Sequence, residues 1–169
     1  MEKLERYILK YDSSIDVTAR LSSISETITW LNDDTNIDTD ALSRLHQTYM
    51  DATSQLEQPL IIVGSTFDEE LQTMSYGGWR QRPDTVLSNS WEKVIPDMNH
   101  WTTCDTMNGN CVLISREVVK RTNNLDSHFT HGIGDMDYGL RAQKKGCHIV
   151  IAPGYYGYCS LNDGAGLWF

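Results

Sequence analysis

The chain has 169 residues with a net charge of −9, from 14 basic and 23 acidic side chains, and 40% of its residues are hydrophobic. One domain of this size can bury about 70% of its unfolded surface, and an acidic surface repels phosphate backbones and anionic lipid, which argues against nucleic-acid or membrane-surface binding. The longest apolar runs, such as Leu60-Ile61-Ile62-Val63, fall far short of the ~20 residues a transmembrane helix requires, and the charged start Met-Glu-Lys-Leu-Glu-Arg is unlike a signal peptide.

Residues 1–27 carry the weakest pattern. Leu4, Tyr7 and Ile8 fit one helical face, but Ser13-Ser14 and Ser22-Ser23 interrupt it, so a short helix and a weakly ordered linker are expected. The folded body is expected over 28–169. Ile28-Thr29-Trp30-Leu31 is a β-rich run that ends at the polar knot Asn32-Asp33-Asp34-Thr35. Asp38 or Thr39 can cap a helix bearing Leu42, Leu45 and Tyr49 and fading near Gln55. Leu60–Val63 follows as a buried strand. Thr73–Arg80 reads as an outer strand or hairpin arm broken by Gly77-Gly78, and residues 83–103 as irregular chain with Trp79, Trp91 and Trp101 nearby.

Cys111-Val112-Leu113-Ile114 is another apolar strand, and a helix through Val118-Val119 follows it. Asp135 opens a helix to about Lys145, which Gly146 stops before a strand over His148–Ala152. Strands apolar on both faces, alternating with helices, argue an α/β domain with a mixed, mainly parallel sheet and helices on both faces. The four cysteines form no Cys-x-x-Cys pair, so free reduced thiols and a cytoplasmic location are expected rather than a zinc site.

Two acidic clusters carry the chemistry. Carboxylates at the carboxyl end of a strand face the crevice where open α/β sheets bind ligands, and their hard oxygens suit Mg²⁺ or Mn²⁺. In extended chain Asn32 and Asp34 share a face while Asp33 points away, which favours Asp34 as the metal ligand; the same four residues are also good turn chemistry. In the second cluster, His131-Gly132-Ile133-Gly134-Asp135-Met136-Asp137, two glycines leave the backbone open to a ligand. Asp135 can instead cap its own helix, and Asp137 and Arg141 stand at the i, i+4 spacing of an ion pair. Two carboxylates ~5 Å apart repel by roughly 3 kcal/mol at an effective dielectric of about 20, so such a site calls for a cation or Arg141. Asn108-Gly109-Asn110 is either a turn or a substrate-lining loop. Trp79, beside Gly77-Gly78, offers a flat face for a sugar ring or for the core.

Together these blocks resemble glycosyltransferase family 2, inverting enzymes of the GT-A fold. The matching stretches are TWLNDDTNIDTDALSRL at 29–45, VGSTFD at 63–68, YGGWR at 76–80, NGNCVLISREVV at 108–119 and HGIGDMDYGLRAQKKGCHIVIAPG at 131–154. The resemblance implies transfer of a sugar from a nucleotide-sugar donor to a glycan or other hydroxyl acceptor with inversion. It puts Asp34 in the cation-holding D-x-D position, with Asn32 where the first acid stands, and Asp135 in the position of the general base. Asn32, Asp33, Trp79, Asn108, Gly109, Asn110, His131, Gly134, Asp137 and Arg141 are then expected around the substrates.

The sequence departs from the family in two ways. Only 28 residues precede the match, where the family carries a nucleotide-binding half on the order of 90 residues, so an N-terminally truncated domain, active or inactive, is expected. Cys159 falls near the usual location of a metal-binding histidine. A non-catalytic sugar-binding or partner-dependent remnant of such an enzyme is the alternative, and a metal-dependent phosphoester hydrolase is a third reading that would need more histidines. An exposed sheet edge would favour pairing with another copy.

Overall fold

The computed structural model describes residues 8–9, 27–57, 59–82, 90–129 and 133–161. They form a mixed α/β unit. In chain order the elements are β1 (Ile8–Leu9), β2 (Thr27–Leu31), β3 (Asn36–Ile37), α1 (Ala41–Gln55), β4 (Leu60–Asp68), β5 (Thr73–Met74), β6 (Gly78–Gln81), β7 (Trp91–Lys93), β8 (Thr102–Cys104), β9 (Thr106–Met107), β10 (Cys111–Ser115), α2 (Arg116–Thr122), α3 (Gly134–Lys144) and β11 (His148–Tyr158). The larger sheet runs β1-β2-β10-β4-β11-β3, with β5 added to β4 and β8 to β11, and a small sheet runs β7-β6-β9.

Strand period decides which face each apolar side chain serves. From β4, β10 and β11, Ile61, Val63, Val112, Ile114, Ile149 and Ile151 enter one core layer with Val118, Val119, Tyr138 and Ala142 of α2 and α3. Their neighbours Leu60, Ile62, Cys111, Leu113, Val150 and Ala152 enter the opposite layer with Ala41, Leu45 and Ala52 of α1. Helices therefore cover both faces, as expected.

The expected direction of the sheet needs correction. Among the described residues, parallel pairing occurs only between β1 and β2 and between β4 and β11, and the remaining pairs in the large sheet are antiparallel. Continuous apolar strands signal burial on both faces, which parallel sheets always have. Here β10 has it too, although it lies antiparallel between β2 and β4.

Several boundaries also shift. Ile8 and Leu9 are extended rather than helical, pairing with Thr29 and Trp30 on the open edge of β2; the rest of residues 1–26 lies outside the described residues. The N-cap of α1 is Asp40 rather than Asp38 or Thr39, with no side-chain cap bond; the carboxylates of Asp38 and Asp40 lie 3.4 and 3.5 Å from Arg44. Arg44 also donates to the Tyr155 carbonyl at 2.7 Å and covers the Tyr156 ring at 4.2 Å, fastening α1 to β11. The arm over residues 73–80 is two strands in two sheets. They separate where Ser75 and Tyr76 exchange backbone bonds with Thr66. Residues 90–103 contain β7 and β8 rather than irregular chain alone.

The strand expected to stop at Ala152 continues to Tyr158, with register shifts on either side of Tyr155. Pro153 and Gly154, the latter at φ +75°, occupy the first irregularity, so a local breaker produces a bulge rather than an end. Asp68 closes the far end of β4. Its carboxylate accepts N–H bonds from Glu70 and Leu71 at 2.9 Å and from Leu161 at 2.7 Å.

Close approach of α3 to β9 requires Gly139. A Cβ there would stand 2.4 Å from the Thr106 hydroxyl and 3.1 Å from the Thr106 Cα, and that hydroxyl already donates to the Met136 carbonyl at 2.6 Å. Gly139→Ala is expected to destabilise the fold by about 2 kcal/mol through overpacking, measured as a lower midpoint in urea with an unchanged slope.

Candidate functional site

The site lies where β2 leaves the sheet and β10 enters it. These strands pair Leu31 with Cys111, so the Asn32–Thr35 turn and the Asn108–Asn110 loop are neighbours. The Asn32 N–H donates to the Asn110 carbonyl at 3.3 Å, and the Thr35 N–H closes the turn on the Asn32 carbonyl, also at 3.3 Å. The acidic knot is thus a turn and not extended chain. The expectation that Asn32 and Asp34 share a face fails for that reason, because turn hydrogen bonding overrides strand alternation. Asp33 and Asp34 are both exposed.

Behind this turn stand Asn110 and Cys159, both buried. The Asn110 amide donates to the Thr35 hydroxyl at 3.4 Å and to the Cys159 sulfur at 3.5 Å. Burial pushes the Cys159 thiol above its ordinary range, and the nearby Asp34 carboxylate adds to the effect. Burial pushes Cys104 and Cys111 up to about 12. All four cysteines are unpaired and buried.

On the other side of the loop, Asp135 is the second residue of α3. Ile133, in the left-handed region at φ 35°, takes the N-cap place, and Gly134 precedes Asp135 within the helix. The Asp135 side chain is therefore not its own helix's cap. One carboxylate oxygen accepts the Gly109 N–H at 2.9 Å and the other accepts the Met136 N–H at 2.7 Å. Gly134 is buried, and a Cβ there would lie 3.2 Å from the Phe129 Cβ, a tight contact at the helix mouth. His131 and Gly132 lie outside the described residues.

The loop itself is held from both sides. A Cβ on Gly109 would meet the Trp30 ring at 2.6 Å, and Trp30 in turn packs edge-on against Tyr138 of α3, 6.1 Å between centroids. The indole N–H of Trp79 donates to the Asn108 side-chain oxygen at 2.7 Å, and the Asn108 N–H donates to the Gly77 carbonyl at 2.9 Å. Asn32, Asn108, Gly109, Asn110, Trp79, Gly134 and Asp135 are thereby joined in one neighbourhood with the Asp33-Asp34 turn. Trp30 and Thr35 belong to it as well. Sequence reasoning missed them because alternation assigns Trp30 a face of β2, whereas its neighbours come from residues 109 and 138.

Asp137 and Arg141 stand apart from this loop. Their side chains pair at 2.6 Å, and Arg141 also donates to the carbonyls of Thr122 and Asn124 at 3.0 and 3.2 Å. The pair ties α3 to the chain leaving α2. That is a structural use of the i, i+4 spacing.

Among the described residues no three His, Cys, Asp or Glu side chains are grouped to hold a metal ion. Asp34 offers one exposed carboxylate, which accepts from the Thr35 hydroxyl at 3.5 Å and lies near the Cys159 thiol. One carboxylate is an incomplete ligand set, and a cation of the Mg²⁺ kind there would have to draw its remaining ligands from water and substrate oxygens. No helix among the described residues is long and apolar enough to cross a membrane. No protein-family model matches the chain, and no curated protein matches it.

Asp68 secures the segment that carries Cys159. Three backbone N–H bonds, that of Leu161 foremost, hold its pKa below the ordinary 3.8. A lowered folded pKa means its contribution is complete above pH 3.8 and is lost as pH falls through the folded value. Leu161 amide exchange is expected to accelerate in that acid range, ahead of the β4 amides. In Asp68→Asn the same amide should exchange fast at neutral pH and respond little to acid.

Proposed function

We propose that this chain is a glycosyltransferase domain of GT-A-like architecture, moving a sugar from a nucleotide-sugar donor to an acceptor hydroxyl with inversion. The observation that carries the reading is the single loop, Asn108–Asn110, that touches both acidic elements: Asn110 accepts from Asn32 in one turn, and Gly109 donates to Asp135. The turn that carries Asp34 and the helix that carries Asp135 thus flank one loop. Mixed α/β architecture with helices on both sheet faces accords with the same reading.

A carboxylate has about four lone-pair positions. Asp135 uses two on backbone N–H donors, which fix its plane and leave others for a substrate hydroxyl. As the acceptor oxygen forms its bond to the anomeric carbon, Asp135 takes the hydroxyl proton. The bond from that carbon to the diphosphate oxygen breaks on the opposite face, and its electron pair leaves with the diphosphate. A divalent cation held at Asp34 would neutralise charge on that leaving group. The half-buried Asn32 side chain supplies a neutral donor and acceptor suited to a sugar hydroxyl.

Turnover of a panel of nucleotide-sugars with Mn²⁺ and simple glycan acceptors tests the proposal. Asp135→Asn is expected to lower kcat by about 10²- to 10⁴-fold, the usual worth of a positioned base, while cation-dependent donor binding measured by calorimetry changes little. Undiminished turnover in this variant would remove Asp135 from the chemistry. Glycan binding without any donor binding would assign the fold to a non-catalytic sugar-binding role.

A further inference from the structure

We propose that Trp79 is a positioning residue which, through Asn108, fixes the Gly109 amide and thereby the orientation of the Asp135 carboxylate. The inference rests on the reading of Asp135 as the base, and it gives Trp79 a different duty from stacking on a sugar.

The geometry is a short relay with each link defined. Trp79 sits in β6 of the small sheet, and its only N–H donor on the ring meets the Asn108 Oδ1 at 2.7 Å, near the short end of the N–H···O range. Asn108 is also held by its backbone, which donates to Gly77 two residues before Trp79. The next residue, Gly109, points its N–H at the Asp135 Oδ2, 2.9 Å away.

Movement of this loop is restricted by Trp30 as well. The Trp30 ring lies against the Gly109 Cα, closely enough that a Cβ would sit 2.6 Å from it. Trp30 thus bars movement of Gly109 toward its ring, and the Trp79 indole bond tethers the neighbouring Asn108. Trp79 is itself braced. Lys93 Nζ lies 5.7 Å from its ring centroid and is anchored by donation to the carbonyls of Met74 and Ser75 at 3.4 and 2.8 Å. Burial lowers the Lys93 pKa, in keeping with an ammonium partly withdrawn from water.

An amide that is 2.9 Å from the carboxylate sets the plane in which the second lone pair of Oδ2 is presented. Small displacements of a base from its reacting proton carry large rate penalties. The small sheet that carries Trp79 would thus tune the chemistry through the loop.

Trp79→Phe keeps the ring and removes the donor; Asn108→Ala removes the acceptor from the other side; Asn108→Asp keeps an acceptor in place. The first two are expected to accelerate Gly109 amide exchange about fivefold to tenfold, the worth of one neutral hydrogen bond, with Val112 exchange unchanged. They should lower kcat by a similar factor with the donor KM unchanged, whereas Asn108→Asp retains wild-type exchange. A merely structural role would lower Tm without separating kcat from KM. Wild-type Gly109 exchange in either folded variant, Trp79→Phe or Asn108→Ala, overturns the proposal. If the wild-type chain transfers no sugar, the proposed reaction falls, and Gly109 exchange still decides whether the relay exists.

Discussion

One backbone amide carries much of the candidate site. The N–H of Gly109 reaches a carboxylate on α3 while its α-carbon rests on the indole of β2, so the helix, the strand and the loop meet within a single residue. Only glycine permits that approach. Without it, Asp135 would belong to its helix alone, and the acidic turn after β2 would have no connection to it.

That junction depends on where β10 sits. The strand lies antiparallel between β2 and β4, so its beginning is beside the end of β2. A parallel β10 would deliver the Asn108–Asn110 loop to the opposite end of the sheet. Core packing enforces the placement, since Val112 and Ile114 serve one layer and Cys111 and Leu113 the other. A shift of one residue would exchange the two sets.

Much of this framework was legible in the residues. The apolar runs at 60–63 and 111–114, the helix with Leu45 and the helix opened near Asp135 are all present where periodicity puts them. Strand direction was not legible, because Val112 and Ile114 are equally apolar whether their neighbours run with or against them. The acidic knot is the turn that the chemistry of Asn32-Asp33-Asp34-Thr35 offered, and only the shared face of Asn32 and Asp34 assumed for extended chain was misplaced. The contacts of Trp79 with Asn108 and of Gly109 with Trp30 span 29 and 79 positions, and pairing at that separation is a property of the packed sheet. The Asp137–Arg141 spacing did announce its ion pair, but not the carbonyls of Thr122 and Asn124 that share the guanidinium.

The irregular course of β11 has a further consequence. Its first part is laced to β4 and β8, and its last residues pair with β3 after two interruptions of register. Those interruptions act as an expansion joint. A misalignment suffered at the His148 end can be absorbed around Pro153 and Gly154 before the chain arrives at Gly157, whose φ of +146° lets it lie against the Asn36 carbonyl. The stretch ending in Cys159 is in this way insulated from errors upstream, and its alignment is set by the walls it finally meets.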